Sequence, residues 1–499
     1  VLGRNRRIAW GFTNTGPDVQ DLYLEQLDPA DANRYRTPDG FAAFESRQEI
    51  IRVKGKADVM LTVRSTRHGP VLTDELPYVG DYLDTSRYQL AMRWTALDAD
   101  NQAFLAVEGL ARAGNVSDAR AALRTSVAPT QNVMIADVDG GIGFIAAGRI
   151  PIRKPDNDLK GLAPALGWDS RYDWDGVISF DDLPQSFNPP EGLIATANQR
   201  IHGKDYPYHL TFDWTPPDRF DRIVELLRAR DKHTIASFRA MQADVRSLPA
   251  MRFLPRFRAA EAASGHRLAE RARGAAKDFD GDMRADATGP LIFSAFADQL
   301  ARAVVLNKLP QPAAAGYGGT NRDFRVALEK ILTRDEARWC DDEATPANET
   351  CENIVRIAYD RALDDLARLF GEDVGQWRWG AAHAARSEHR PFSRVPLLAR
   401  FFDIATPTGG DAYTINVGRL NLGDRNAPFI NRHASSLRAI YDLSDLDKSR
   451  FIYQTGQSGN ILSHHYRDLA EIWGRVEDLP LSLDPSGPFQ ELTLTIDQR

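Results

Sequence analysis

The hydrophobic period of the 499-residue chain changes twice, and this limits the folds open to it. Over the first two hundred or so residues, apolar residues come in short runs between turn signals, the pattern of strands. The clearest case is "NVMIADVDGGIGFIAAGRIPIR" (132–153), two apolar runs joined across Asp139-Gly140-Gly141, the chemistry of a tight hairpin. "ADVMLTVRSTRHGPVL" (57–72) reads as a second strand-like stretch. From about Arg219 the period is helical: Phe220, Ile223, Leu226 and Leu227 share a face, and Ile235, Phe238 and Met241 follow a Thr234 cap. Helical patterns continue to about residue 370, where Val355, Ala358, Ala362, Leu366 and Leu369 form a stripe that stops at Gly371. Strand signals return from about residue 405 and end in "ELTLTI", with Leu492, Leu494 and Ile496 alternating with polar residues. This order predicts a mixed α+β protein. No internal repeat or low-complexity tract is present.

With 43% hydrophobic and 26% charged residues the chain has the composition of an ordinary globular protein. A net charge of -7, with Lys and Arg interspersed among Asp and Glu, argues against a nucleic-acid partner. No apolar run is read as reaching the ~20 residues needed to span a bilayer, so no membrane partner is expected. Cys340 and Cys351, the only cysteines, frame "CDDEATPANETC". A single close pair favours a disulfide over a zinc site, which needs more ligands than this stretch offers, and a disulfide implies an oxidising compartment. The alternative is two reduced thiols in a cytosolic loop.

Several familiar signatures are missing: there is no phosphate loop, no Gly-x-Gly-x-x-Gly and no His-Glu-x-x-His. "GQSGN" (456–460) departs from a nucleophile elbow at Asn460 and reads as a polar loop. His464 and Asp468 have helical i,i+4 spacing beside His465, a pattern that more often marks a solvated or capping surface than a metal site. His68 ends a strand, where it either orients a site or is a buried, satisfied histidine.

The stretch "IAWGFTNTGPDVQDLYLEQL" (8–27) goes further. With "TRHGPVL", "PTQNVMIADVDGGIGFIAAGRIPIR", "GLIATANQRI", "PPDRFDRIVELL", "WCDDEATPANETC", "GGDAYTINVG" and "GQSGNILSHHYRDL", in that order, it resembles the β-subunit of the penicillin acylase family of N-terminal nucleophile hydrolases. The resemblance covers nearly the whole chain. It implies a four-layer αββα sandwich with a mostly helical insertion, the core formed by residues 1–225 and 405–499 and the insertion by 226–404. It also implies a precursor exported to the periplasm or secreted, and cut into an α-subunit and a β-subunit.

In this family the nucleophile is a serine at the N-terminus of the β-chain, whose α-amine acts as base. By resemblance the chain matches the β-subunit beyond its first several dozen residues, so the nucleophile is expected outside these 499 residues; an internal serine has an amide in place of the amine. The resemblance assigns the oxyanion donors to the side-chain amide of Asn198, in a "TANQR"-like strand, and the backbone N–H of Asn14. Arg219, in a "DR" pair at the start of a helix, supports them. Asp18 and Asp21 match a structural calcium loop; the alternative is an Asx-turn. No organic cofactor is implied. Phe12 and Gln131 fall where the family lines its acyl pocket, and their bulk and polarity argue against simple transfer of a phenylacetyl preference. The expected activity is hydrolysis of a small-molecule acyl amide: a penicillin-like β-lactam, an acyl-homoserine lactone or a related compound. The alternative is a secreted binding or structural protein that keeps the fold without catalysis.

Overall fold

A computed structural model describes residues 2–310, 314, 317–334, 337–342, 345–482 and 493. The chain forms two compact units, Val1–Thr215 and Pro216–Arg499. The first is built on strands, and both expected strand-rich stretches lie in ladders. One five-stranded antiparallel sheet runs in the order Gly3–Arg4, Ile8–Asn14, Gln131–Asp137, Ile142–Ala147, Gln185–Phe187. Its register pairs Trp10 with Ile135 and Phe12 with Val133, so alternate residues Ile8, Trp10, Val133, Ile135, Ile145 and Ala147 share one apolar face. The helices Ala103–Arg112 and Val116–Ala122 cover that face through Leu110, Val116 and Ala119. Gly143 allows the close approach: a Cβ there would lie 2.8 Å from both Phe187 and Val116.

In a second sheet Gln20–Asp28 pairs with Ala165–Leu166, Asp31–Thr37 and Tyr88–Trp94. The strand Gln20–Asp28 buries Asp21, Tyr23 and Glu25, an acidic stripe where an apolar one is the rule. Each carboxylate has a cation or a ring to answer it: Arg153 for Asp21, and His68 for Glu25. The hairpin Glu45–Ile51 and Val59–Thr66 continues to Gly69–Pro70.

The second unit holds the helical stretch. Gly289–Val304 and Cys351–Phe370 pack with Leu248–Ala263 around Phe253, Phe257, Phe293, Phe296 and Tyr359. The sequence caps are in place. Thr234 forms a capping box with Ser237, Thr350 caps the Cys351 helix, and Gly371 ends it at φ 78°. Val355, Ala358, Ala362 and Leu366 are buried as the stripe requires. Cys340 and Cys351 form a disulfide.

One sequence expectation needs qualification. Gly289–Lys308, 20 residues with a mean hydropathy of 1.3, is long and apolar enough to cross a membrane, but 89% of that window is buried, which makes it the core helix of its unit. The expected strands after residue 405 appear as short pairs, the longest being Leu437–Ile440 with Arg450–Tyr453. "ELTLTI", with Leu492, Leu494 and Ile496, lies outside the described residues.

Candidate active site

The strand Ile8–Asn14 carries the first part of the site at its C-terminal end. Pairing of Asn14 with Gln131 and of Thr13 with Asn132 sets two groups on opposite faces of the sheet, at the same end of the two strands. On one face lie Phe12, Asn14 and Gln131, and the Gln131 Nε2 donates to Asn14 Oδ1 at 3.1 Å. The two residues expected to line an acyl pocket therefore are neighbours, and one of them is tied to an expected oxyanion residue. On the other face a neutral network is closed by Asn132, which is fully buried. Its Nδ2 donates to Thr13 Oγ1 and Thr196 Oγ1, both at 3.2 Å, and to the Asn14 carbonyl at 3.3 Å. Its Oδ1 accepts from Thr15 Oγ1 at 3.0 Å.

Asn198 reaches the same point from the other side of the sequence. Its Nδ2 donates to the Asn14 carbonyl oxygen at 3.0 Å, so the two expected oxyanion residues are in direct contact. The segment around it departs from expectation: residues 193–199 belong to no strand, and 197–199 form a bend. Instead of a ladder, side chains hold it. Thr196 Oγ1 meets Thr13 Oγ1 at 3.0 Å, and the Ala197 N–H donates to Gln199 Oε1 at 2.8 Å. Asn198 itself is at φ 71°, in the left-handed region that few residues other than glycine occupy and that asparagine tolerates best. Strain of this kind, about 1 kcal/mol or more, persists where the surroundings over-determine it, and it clusters at functional sites. An NH2 group has two donor protons. The proton on Asn14 fixes the amide plane, and the plane then fixes the direction of the second.

Arg219 lies in the second unit, half-buried in the first turn of the helix Asp218–Arg228. The neighbouring Asp218 is buried and pairs with Arg252 at 2.8 Å.

Asp18 and Asp21 do not form the expected calcium loop. Calcium takes roughly six to eight oxygen ligands, with carboxylates aimed at one point. Here Asp21 is buried against a buried guanidinium: Arg153 donates Nε to Oδ2 at 3.0 Å and Nη2 to Oδ1 at 2.6 Å, and Trp174 Nε1 donates to Oδ2 at 2.7 Å. Arg153 Nη2 also donates to the Asp18 carbonyl at 2.8 Å. The Asp18 Oδ1 accepts from Thr211 Oγ1 at 3.0 Å, and His209 Nε2 stands 3.8 Å from Oδ2. Both Asp21 oxygens and Asp18 Oδ1 thus face donors of the chain itself, a set that does not fit calcium.

His68 is buried and satisfied. Its Nδ1 meets Glu25 Oε1 at 2.7 Å, its Nε2 meets Asp173 Oδ1 at 3.1 Å, and Tyr23 stacks on its ring at 3.6 Å. Burial opposes ionisation of Asp173, but hydrogen bonds from His68 and Arg67 outweigh it and hold the carboxyl at about 2. "GQSGN" is a polar loop, as its sequence predicts, with Gly456 tight against the His465 carbonyl.

Sequence reasoning missed Asn132, Thr13, Thr15, Thr196 and Arg153. Asn132 had a signal, a carboxamide directly before the apolar run 133–136. Arg153 had none, since its partner is 132 residues away.

Known proteins point the same way. A family model described as penicillin amidase matches residues 1–487. The acyl-homoserine lactone acylase QuiP of Pseudomonas aeruginosa is 30% identical over 542 residues, covering 99% of this chain and 62% of that protein. The penicillin acylase 2 proenzyme of Pseudomonas sp. (strain SE83) is 28% identical over 96% of this chain and 59% of its own length. A thermostable penicillin G acylase from Alcaligenes faecalis, 21% identical, superposes with a TM-score of 0.73 over 100% of this chain and 90% of that one, which shows a shared fold, that of N-terminal nucleophile hydrolases. The chain spans about 60% of the length of these curated relatives.

Proposed function

Because this chain belongs to the penicillin amidase family, we propose that it is the larger part of an amidohydrolase that cleaves N-acylated small molecules through an acyl-enzyme. The observation that carries the reading is the junction of Asn14, Asn198 and Gln131, where a strained asparagine is locked by its amide to the end of a strand. The nucleophile is an N-terminal serine from the length of the relatives that this chain does not span. Its Oγ adds to the amide carbon while its α-amine takes the proton. The carbonyl oxygen becomes an oxyanion, which accepts from Asn198 Nδ2 and the Asn14 N–H. Collapse breaks the C–N bond, the amine leaves with the proton, and water then releases the acid and regenerates serine. Neutral carboxamide donors suit an oxyanion because they are fixed before reaction and reorganise little as charge develops.

The relatives by name act on acyl-homoserine lactones and penicillins, and the substrate proposed here is an acyl amide of that range. Phe12 and Gln131, on the face that carries Asn14, line the acyl side. We assign the remaining chain to an α-subunit from the same precursor, and the mature protein to the periplasm or the medium; the Cys340–Cys351 disulfide supports an oxidising compartment. The test is to incubate the complete processed protein with N-acyl-homoserine lactones of graded chain length and with penicillin G. Release of free amine and acid, with loss of activity when the N-terminal serine is replaced by alanine, is expected. No hydrolysis of any acyl amide would leave the binding-protein reading in its place.

A further inference from the structure

A second chemistry-bearing cluster, in the second unit, includes none of the residues assigned to the reaction. His464, His465 and Asp468 are all exposed, and one ligand atom from each lies within 4.8 Å of the other two. Their convergence follows from the backbone. Residues 464–466 form a single 3-10 turn capped by Ser463, whose Oγ accepts the His465 N–H at 3.2 Å. An extended chain would send adjacent histidines to opposite sides, whereas this turn brings their ring centroids to 3.6 Å. The His465 Nδ1 already meets Asp468 Oδ2 at 2.7 Å.

The scaffold beneath is held on every side. Ser458 N–H donates to the His465 carbonyl at 3.0 Å, and Leu469 N–H to the Thr455 carbonyl at 3.0 Å. Tyr466 is buried against Ile404 and Ala470, and its hydroxyl donates to the Phe402 carbonyl. The nearest cation in sequence, Arg467, is turned away: it donates to the Phe401 carbonyl at 2.7 Å and lies over the Tyr466 ring.

We propose that His464, His465 and Asp468 bind a late first-row divalent metal ion, of the zinc and nickel class. Two imidazoles and one carboxylate select these ions over calcium and magnesium, which prefer oxygen donors. Three protein ligands with exposed outer faces leave the remaining positions to water, the arrangement of an open site. The ion takes the place of the proton that His465 and Asp468 share, and that proton passes to solvent. Small χ rotations of exposed side chains bring the three ligands from their present separation to the tighter spacing of a coordination shell.

The experiment uses the complete protein, stripped with chelator and titrated with zinc by calorimetry and with cobalt by visible absorption; calcium serves as a control. One equivalent of zinc should bind and calcium should not, and bound cobalt should show the d–d bands of a low-coordinate nitrogen and oxygen site. His464→Ala and Asp468→Asn should each weaken binding by about tenfold or more, with metal-free melting temperatures unchanged because both residues are exposed. The rest of the ten histidines set the background. Binding that is equal in the parent and in His464→Ala, or no stoichiometric binding in the parent, would overturn the site.

Discussion

A buried ion pair is the sharpest residue-level device in the first unit. Arg153 and Asp21 exclude solvent from one another, and removal of one partner leaves the other buried and charged, which typically costs about 3–5 kcal/mol. Arg153→Met should therefore lower stability by an amount of that order, measured by denaturant unfolding. Because the guanidinium serves as the cation there, adding calcium to the metal-free parent protein should leave its melting temperature unchanged; a rise on calcium addition would contradict this. In the second unit His383 is fully buried, stacks on Trp379 at 4.3 Å and donates Nδ1–H to the Phe429 carbonyl at 2.7 Å. Its Nε2 has no hydrogen-bond partner among the described residues, and desolvation pulls its pKa down to about 4. The unfolded chain takes up this proton near 6.5, while the folded one resists it to about 4. The contribution is complete above about 6.5 and is lost as pH falls toward 4, at a slope of about 1.4 kcal/mol per pH unit. Unfolding free energies should level off above about pH 6.5 and show this slope between about pH 6 and pH 5 in the parent, with a flatter course in His383→Gln.

Between elements, single polar side chains do the joining. Asp137, buried at the end of the hairpin, accepts from the Asp139 and Gly141 N–H groups with Oδ1, at 3.0 and 2.8 Å, and from the Val116 N–H with Oδ2 at 3.0 Å. It closes the turn and also satisfies a donor at the start of the helix that covers the sheet. Asp137→Ala should destabilise by about 2–4 kcal/mol, since three N–H groups lose their acceptor, and Asp137→Asn by clearly less; equal effects of the two, by thermal or chemical unfolding, would refute the capping role. The hairpin itself was legible from its apolar runs and its Asp-Gly-Gly turn, and the Cys351 helix from its stripe and its glycine stop. Asn198 was not legible as structure. It reads as a strand residue, yet no strand pairs with it, because Thr13, Thr196 and Asn132 hold its segment through side chains far apart in sequence. The partner of Asp21 was hidden for a similar reason: two aspartates at a suitable spacing say nothing about an arginine 132 residues away.

At the scale of the molecule, the shift from strand to helical period located the two kinds of structure, and an ordered series of motifs identified the fold that the family match and the structural superposition share. What local pattern could not supply was the meeting of Asn14 with Asn198, 184 residues apart, and on that meeting the catalytic account depends. Its most direct test is steady-state kinetics of Asn198→Ala in the complete, already processed protein, on whichever acyl amide it cleaves best. Because the amide aims at charge that exists only in the transition state, kcat should fall by ~10²–10³ with a much smaller change in KM. Asn198→Gly, which accepts the left-handed backbone without strain, should lose as much activity while folding at least as stably. A kcat for Asn198→Ala within a few-fold of the parent would contradict the oxyanion assignment and, with it, the residue-level case for an acylase.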